Sequence, residues 1–389
     1  IEIRRFFKIC AEANKGSRMI SFLGGGAYDH YIPSVVPVLA ARSEFLTSYT
    51  QYQPELSQGM LQALFEFQSM IANLYCMDVV NASMYDGASA LAEAVLMASR
   101  IQGKKKPLVL VSSSISDALK RTIETYCKKG AGLTIIYLPL RGDGTTSPGI
   151  LEYIEEENEI ACVVYQNPNC FGILEDMGGI SAILEKRNIL FVLSAYPMAL
   201  GVLQSPGELG ADIAVGDAQS LGIPLGFGGP SAGIFTTKEK FVRFMPGRLV
   251  GETVDARGER AYTLTLGPRE QHIRREQATS NICTNQALCA LMSAIYMAIM
   301  GAEGMREVAK QCAYGAHYLA GKIQERKYFW LRFSGEFFNE FLVETSVPIE
   351  KVKIGFEKKG ILALFQNDAF RIPGNTFLIA VTEKRTKEE

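Results

Sequence analysis

The chain has 389 residues, a formal net charge of -1, 48% hydrophobic and 21% charged residues, a composition suited to a large α/β protein with a well-buried core. That balance leaves no basic footprint for nucleic acid, and the eight cysteines and three histidines form neither CxxC nor HxxxH, which excludes a metal site built from ligands close in sequence. The most apolar run, residues 287–300, falls short of the ~20 residues of a membrane span, so no membrane association is expected.

Residues 1–14 read as a helix already in pattern at Ile1; with no initiator Met, the chain reads as trimmed at that end. A Gly24-Gly25-Gly26 turn follows, and Pro33 suits the first position of a second helix. Met60, Leu64, Phe67, Ile71 and Leu74 recur at helical spacing, and another helix follows Asp86-Gly87-Ala88-Ser89. From there strands (108–112, 133–138, 160–165, 189–193, 212–215, 231–235) alternate with helices such as 117–128 and 177–186. The strands are nearly continuous apolar runs, as expected when helices cover both faces, and the pattern predicts a mostly parallel, doubly wound sheet. Helices over 284–300 and 302–324, strands over 329–333 and 336–343, a helix over 348–359 and a strand over 377–381 form a small α+β unit. The expected division is an N-terminal segment 1–60, a large domain 61–301 and a small C-terminal domain 302–389.

Tyr49, Tyr52, Gln53, Glu55, Ser57 and Gln58 make the densest polar-aromatic cluster, suited to hydrogen-bonding a small zwitterion. The same residues also read as a loop with Ser57 capping the next helix. Asp86-Gly87-Ala88-Ser89 stands where a helix N-terminus offers free N–H groups to an anion, yet Asp86 has the wrong charge for phosphate and the right one for a cap. Residues 166–172 follow a buried strand at the edge where doubly wound sheets bind ligands, and they read equally as a turn. The glycine-rich run 222–233 is neither GxGxxG nor a P-loop, so nicotinamide dinucleotide or nucleoside triphosphate binding is not expected. Arg269, His272, Arg274 and Arg275 crowd the span before Thr279, Ser280 and Asn281; guanidinium forks suit carboxylate or phosphate, and a solvated helical turn is the plain alternative. Cys283 and Cys289 read as small buried apolar side chains. The scattered thiols, without a secretory pattern, point to the cytoplasm.

Residues 190–235, within a lysine-free run 187–237, have the strand, turn and glycine-rich loop order of a pyridoxal-phosphate enzyme. No lysine occurs among them to hold the cofactor, and no carboxylate occurs in 193–197 to face its ring nitrogen. An independent pyridoxal-phosphate aminotransferase is excluded on that ground.

Taken in order, GGGAYDHYIPSVV from Gly24, SYTQYQPELSQGMLQALFEFQSMI from Ser48, NASMYDGASALAEA from Asn81, GADIAVGDAQSLGIPLGFGGPSAGIF from Gly210 and LTLGPREQHIRREQATSNICTNQALCAL from Leu264 resemble the glycine decarboxylase family, the P-proteins of the glycine cleavage system, in their N-terminal half or α subunit. The resemblance implies a pyridoxal-phosphate-dependent transferase of fold type I, like aspartate aminotransferase. It implies a glycine dehydrogenase (aminomethyl-transferring, decarboxylating) assembled as an α2β2 heterotetramer, with a lipoylated H-protein as acceptor of the aminomethyl group of glycine. It further implies that pyridoxal phosphate is held covalently by the β subunit and not by this chain, where Gln219-Ser220-Leu221-Gly222 replaces the His-Lys of the catalytic half. The length leaves no room for a second half, so a separate α subunit is expected. By chemistry and motif position, Tyr49, Tyr52, Gln53, Glu55, Ser57 and Gln58, with Tyr28 and His30 close by, are the candidates for the shared site. Arg269, His272, Arg274, Arg275, Thr279, Ser280 and Asn281 are candidates for subunit or anion contact. A non-catalytic subunit that only stabilises its partner is the competing expectation.

Overall fold

The computed structural model describes residues 1–48, 51–103, 105–147, 159–267, 271–366 and 374–389. The chain opens with helix α1 (Glu2–Ala13), none of whose residues is buried, followed by strand β1 (Ile20–Phe22) and helix α2 (Val35–Ala40). Pro33 lies just before α2 and accepts the Val36 N–H, so the helix starts two residues later than the proline suggests. In helix α3 (Gln58–Tyr75), the periodic Met60, Leu64, Phe67 and Ile71 are all buried, and Cys76 ends the helix in a left-handed conformation. Strand β2 (Val79–Val80) and helix α4 (Gly87–Gln102) follow.

The next strands are β3 (Leu108–Ser112), β4 (Thr134–Leu138), β5 (Ile160–Asn167), β6 (Leu190–Ala195), β7 (Ile213–Asp217) and β8 (Gly233–Thr237), with helices α5 (Asp117–Ile123) and α6 (Ile180–Lys186) between them. The helix expected over 117–128 instead stops at Ile123 and widens into a π-type turn, Glu124–Ala131. These strands form a seven-stranded sheet in the order β2-β8-β7-β6-β5-β3-β4. Strands β3 to β7 are parallel, whereas β8 pairs antiparallel with β7 and β2. Both faces are covered. On β6, Phe191 and Leu193 pack into the core under α3, while Leu190 and Val192 pack into the core under α4.

A two-stranded hairpin of β9 (Leu249–Val254) and β10 (Arg260–Thr265), absent from the sequence reading, lies against α3. The Gln68 amide seals it, donating to the Val250 carbonyl at 2.9 Å and accepting its N–H at 3.0 Å. The two helices expected after residue 284 are present within Ala287–Gln324, named α7 together, and are parted at Gly301, whose φ 61°, ψ -178° is not helical. Taken across that break, the length and apolar character of α7 match those of a membrane span. Here it is a core helix: Ala290, Ala294 and Tyr296 are buried with α3 residues, and Ala316 and Ala320 with the small sheet.

Strand β11 (Phe329–Leu331), strand β12 (Glu340–Thr345), helix α8 (Ile349–Lys358), strand β13 (Ile361–Phe365) and strand β14 (Thr376–Ala380) complete the fold. The small sheet has the order β1-β13-β14-β12-β11, so its edge strand comes from near the N-terminus, with Ile20 opposite Ile361. The seam with the large sheet is tight at Gly172, where φ is 81° and an added Cβ would sit 1.8 Å from the Glu340 carbonyl oxygen.

Candidate functional site

The carboxyl ends of β5, β6 and β7 and the N-terminus of α4 enclose a cavity of about 340 Å³, closed on the other side by Tyr28 and Glu340. Helix α4 begins with a capping box: the Ser89 N–H donates to Asp86 Oδ1 at 2.7 Å, and the Asp86 N–H donates to Ser89 Oγ at 3.2 Å. The next free donor, Gly87 N–H, is taken by Asp217 Oδ2 at 2.9 Å. Asp217 also accepts the Gln219 N–H at 3.0 Å and the Ser231 hydroxyl. Burial raises the Asp217 carboxyl above its usual range despite these bonds. A helix terminus that could cradle an anion is therefore filled by two carboxylates of the chain itself.

After β7 the chain turns through Ala218–Ser220. The buried Gln219 accepts the Tyr28 N–H at 2.9 Å and donates to the carbonyls of Tyr28 and Ile223, each at 3.1 Å. It clips the glycine-rich N-terminal segment to the sheet. Ser220 is buried beside it, and its hydroxyl has no hydrogen-bond partner among the described residues. Glu340 on β12 accepts the Gly25 N–H at 2.6 Å and the Tyr28 hydroxyl at 3.0 Å. Complete burial pushes its carboxyl up to about 7. His30 is equally interior, between Glu383 and the Tyr196 hydroxyl.

A second neighbourhood forms around Arg248, a residue that no local pattern singled out. Its buried guanidinium donates to the Tyr52 hydroxyl at 2.6 Å, the Cys283 carbonyl at 2.9 Å and Asn285 Oδ1 at 3.4 Å, and it lies 4.6 Å from the Tyr52 ring centroid. Asn285 in turn donates to the Ala82 carbonyl at 2.6 Å, and the Cys283 N–H to the Tyr85 hydroxyl at 3.0 Å. A cavity of about 220 Å³ opens here, lined by Gln51, Arg248, Thr284 and Asn285. Gln58 fixes the other end of the loop to β10, donating to the Tyr262 carbonyl and accepting the Tyr262 N–H, both at 2.8 Å.

The structure thus joins the 51–58 loop to the 283–285 turn through Arg248, and leaves Tyr52, Gln53 and Glu55 exposed on the outer face. Tyr28 and His30 are placed elsewhere: they are buried, line a different cleft and serve the junction with the small domain. Ser57 holds the N-cap position of α3 but makes no side-chain cap bond. Arg274, Arg275 and Asn281 are exposed, Thr279 and Ser280 half-buried, with Ser280 Oγ accepting the Ile282 N–H at 3.1 Å. Cys289 is buried as expected, but Cys283 is exposed, because the turn there is held by its backbone groups. Tyr49, Arg269 and the His272 side chain lie outside the described residues.

A largely parallel seven-stranded sheet followed by a small α+β domain is the fold of pyridoxal-phosphate-dependent transferases of fold type I. A NifS-like protein from Rickettsia africae shares it at 12% identity and a TM-score of 0.68, covering 95% of this chain and 96% of that one. The sphingosine-1-phosphate lyase of Burkholderia pseudomallei shares it at 13% and 0.71, covering 98% and 86%. A family model described as "Glycine cleavage system P-protein" matches residues 1–389, and the chain belongs to that family. "Probable glycine dehydrogenase (decarboxylating) subunit 1" of Chlorobium limicola is 49% identical over 389 residues, spanning 100% of this chain and 86% of the relative. The protein of the same name from Moorella thermoacetica is 49% identical over 378 residues, spanning 97% and 84%. The crystal structure of a glycine decarboxylase (P-protein) in inhibitor-bound form superposes with a TM-score of 0.91 at 44% identity, covering 100% of this chain and 86% of that one. The chain is a subunit of an enzyme complex, with a partner subunit implied by those names.

The fold class implies pyridoxal phosphate, and the residues of this chain do not fit it. Among the described residues no lysine lines the cavity, Ser194 and Ala195 stand where β6 would present an acid, and the α4 cup already holds Asp86 and Asp217.

Proposed function

We propose that this chain is the cofactor-free α subunit of a two-subunit glycine decarboxylase, paired as α2β2 with a β subunit whose lysine holds pyridoxal phosphate. The complex releases the carboxyl group of glycine as CO2 and hands the aminomethyl group to the lipoyl arm of the H-protein; pyridoxal phosphate in the partner supplies the electron sink. The observation that carries this reading is the filled cup. Asp86 and Asp217 at the N-terminus of α4, with no lysine lining the cavity among the described residues, support a chain that does not itself house the cofactor and serves the enzyme through its outer faces.

The outer face best equipped for a small polar substrate is the Tyr52–Arg248–Asn285 neighbourhood. Arg248 presets the Tyr52 ring and the 283–285 turn, and exposed Gln53 and Glu55 extend the polar edge. Rigid groups of this kind contribute by orienting a neighbour's substrate and excluding water. Arg274 and Arg275 flank the same side of the sequence as candidates for the subunit contact. Eight free thiols suit a reducing compartment, and the reading places the complex in the cytoplasm.

Reconstitution tests the assignment. The purified chain, its β counterpart and lipoylated H-protein are mixed, and exchange of the glycine carboxyl with labelled CO2 is followed. Exchange only in the complete mixture is expected. Full exchange by the β subunit and H-protein without this chain would reduce it to a stabilising scaffold.

A further inference from the structure

Three side chains of metal-binding type, far apart in sequence, meet at the junction of the two domains. His30 Nδ1 lies 2.7 Å from Glu383 Oε2, Cys312 Sγ lies 3.4 Å from the same oxygen, and the three donor atoms fall within 4.8 Å of one another. His30 follows the glycine-rich N-terminal turn, Cys312 sits on the second half of α7, and Glu383 comes just after β14. Glu383 is 353 positions from His30 and 71 from Cys312, so no local spacing announces the cluster. We propose that His30, Cys312 and Glu383 form a buried site for a zinc-type divalent ion, which ties the N-terminal segment, α7 and the C-terminal end together.

The donor set fits that class of ion. One imidazole, one thiolate and one carboxylate suit zinc or cobalt, whereas magnesium and calcium require oxygen ligands throughout. The thiolate and carboxylate together carry two negative charges and neutralise the ion, which a site this deep demands: the His30 and Glu383 side chains are 1% and 8% exposed. The outer partners are present as well. His30 Nε2 meets the Tyr196 hydroxyl, and the Tyr31 N–H holds the second Glu383 oxygen at 2.6 Å. A tetrahedral ion leaves a fourth position for water. The buried Tyr296 hydroxyl has no hydrogen-bond partner among the described residues and is near enough to Glu383 and Cys312 for their charges to act on it. Clefts flank the cluster on two sides, one lined by Asp29, His30 and Lys384, the other by Glu383 and Arg385.

Without an ion the cluster is held by protons. Burial, then the Glu383 charge, pushes the Cys312 thiol well above its usual range, and the thiol donates to Glu383. Loading exchanges that proton for the ion: the S–H bond breaks, a sulfur–metal bond forms and one proton leaves to solvent. The proton between His30 Nδ1 and Glu383 passes to Nε2, which then donates to the Tyr196 hydroxyl and leaves Nδ1 free for the ion. With metal bonds of about 2.1 Å at tetrahedral angles, the imidazole nitrogen and carboxylate oxygen sit about 3.4 Å apart. The present hydrogen-bonded contact therefore opens slightly on loading.

The test uses the full-length chain, stripped with a chelator and titrated with zinc, or with cobalt(II) read by thiolate-to-cobalt charge-transfer absorption. One equivalent per chain, about one proton released and a charge-transfer band are expected. The band should persist in C10S/C76S/C283S, which removes the three exposed cysteines, and disappear in C312S. If C312S does not fold, the C10S/C76S/C283S variant decides alone: zinc must slow alkylation of Cys312 at least tenfold. Absence of stoichiometric uptake, a band surviving in C312S, a band lost with the exposed cysteines, or alkylation indifferent to zinc would each overturn the site.

Discussion

The main-chain N–H of Gly87 donates to Asp217 Oδ2 at 2.9 Å, across a gap so narrow that a Cβ on Gly87 would meet the Asp217 Cβ at 3.0 Å. A carboxylate of β7 thus takes the first free donor of α4, the position an anionic ligand would seek. Asp217→Ala strands the Gly87 and Gln219 N–H groups and the Ser231 hydroxyl, which costs about 2–4 kcal/mol. Urea unfolding of the variant should show a loss in that range, and a cost below about 0.5 kcal/mol would mean that water replaces the carboxylate freely. In the parent chain, pyridoxal phosphate should give no saturable rise in Tm.

Glu340 makes the stability of the chain depend on pH. Burial lifts its carboxyl from 4.5 to about 7, so the folded state holds this proton more tightly than the unfolded state does. The resulting stabilisation is complete below about 4.5 and fades as the pH rises to 7, reaching a loss on the order of 3 kcal/mol for a fully buried group. Glu340→Gln can still accept from Gly25 and meet Tyr28, but it does not ionise. Unfolding of parent and variant at pH 5 and pH 8 should show the parent losing stability relative to E340Q over that interval. Parallel curves would count against Glu340 as the cause.

Tyr52 receives its hydrogen bond from a charged guanidinium, the stronger kind of pairing, worth about 1.5–3 kcal/mol. Tyr52→Phe keeps the ring stacked on Arg248 and removes only the hydroxyl. In the assembled enzyme the expected result is a fall of about tenfold to a hundredfold in glycine–CO2 exchange, with the subunits still co-eluting. Arg248→Lys should be worse and also less stable, since one ammonium cannot span the Tyr52 hydroxyl, the Cys283 carbonyl and Asn285. Unchanged exchange in Y52F would remove this neighbourhood from the shared site.

The parts of the molecule that sequence makes legible are those whose physics is local. Helix α3 is announced by Met60, Leu64, Phe67 and Ile71, and β3, β5 and β6 by continuous apolar runs, because each element's burial repeats with its own period. The Asp86 cap is equally local, three residues from its partner Ser89. What stays hidden depends on distant chain. Strand β1 is three residues long and β13 mostly half-buried, so neither carries a pattern until they pair. In the hairpin β9–β10 the apolar run of β9 stops at Val250, and Glu252, Thr253 and Val254 are all exposed. Arg248 is an unremarkable arginine in sequence; its partner Tyr52 stands 196 positions away. Asp217, which fills the α4 cup, stands 130 from Gly87.

The same long-range logic makes Gly172 a sensitive point of the seam between the two sheets. Its φ of 81° is the left-handed region that disfavours side chains, and the backbone of β12 passes so close that a Cβ would sit 1.8 Å from the Glu340 carbonyl oxygen. Neither atom belongs to a flexible side chain, so the clash is relieved only by moving β12 away from the loop after β5. That displacement would also pull Glu340 from Gly25 and Tyr28, loosening the N-terminal segment. Gly172→Ala should therefore cost more than about 3 kcal/mol, combining backbone strain with overpacking. It should appear as a lowered urea midpoint together with faster proteolysis of residues 24–31. By contrast Gly142→Ala, where a Cβ meets nothing within 4 Å and φ is not positive, should leave both readouts unchanged. Equal behaviour of the two variants would show that the seam gives way without loss.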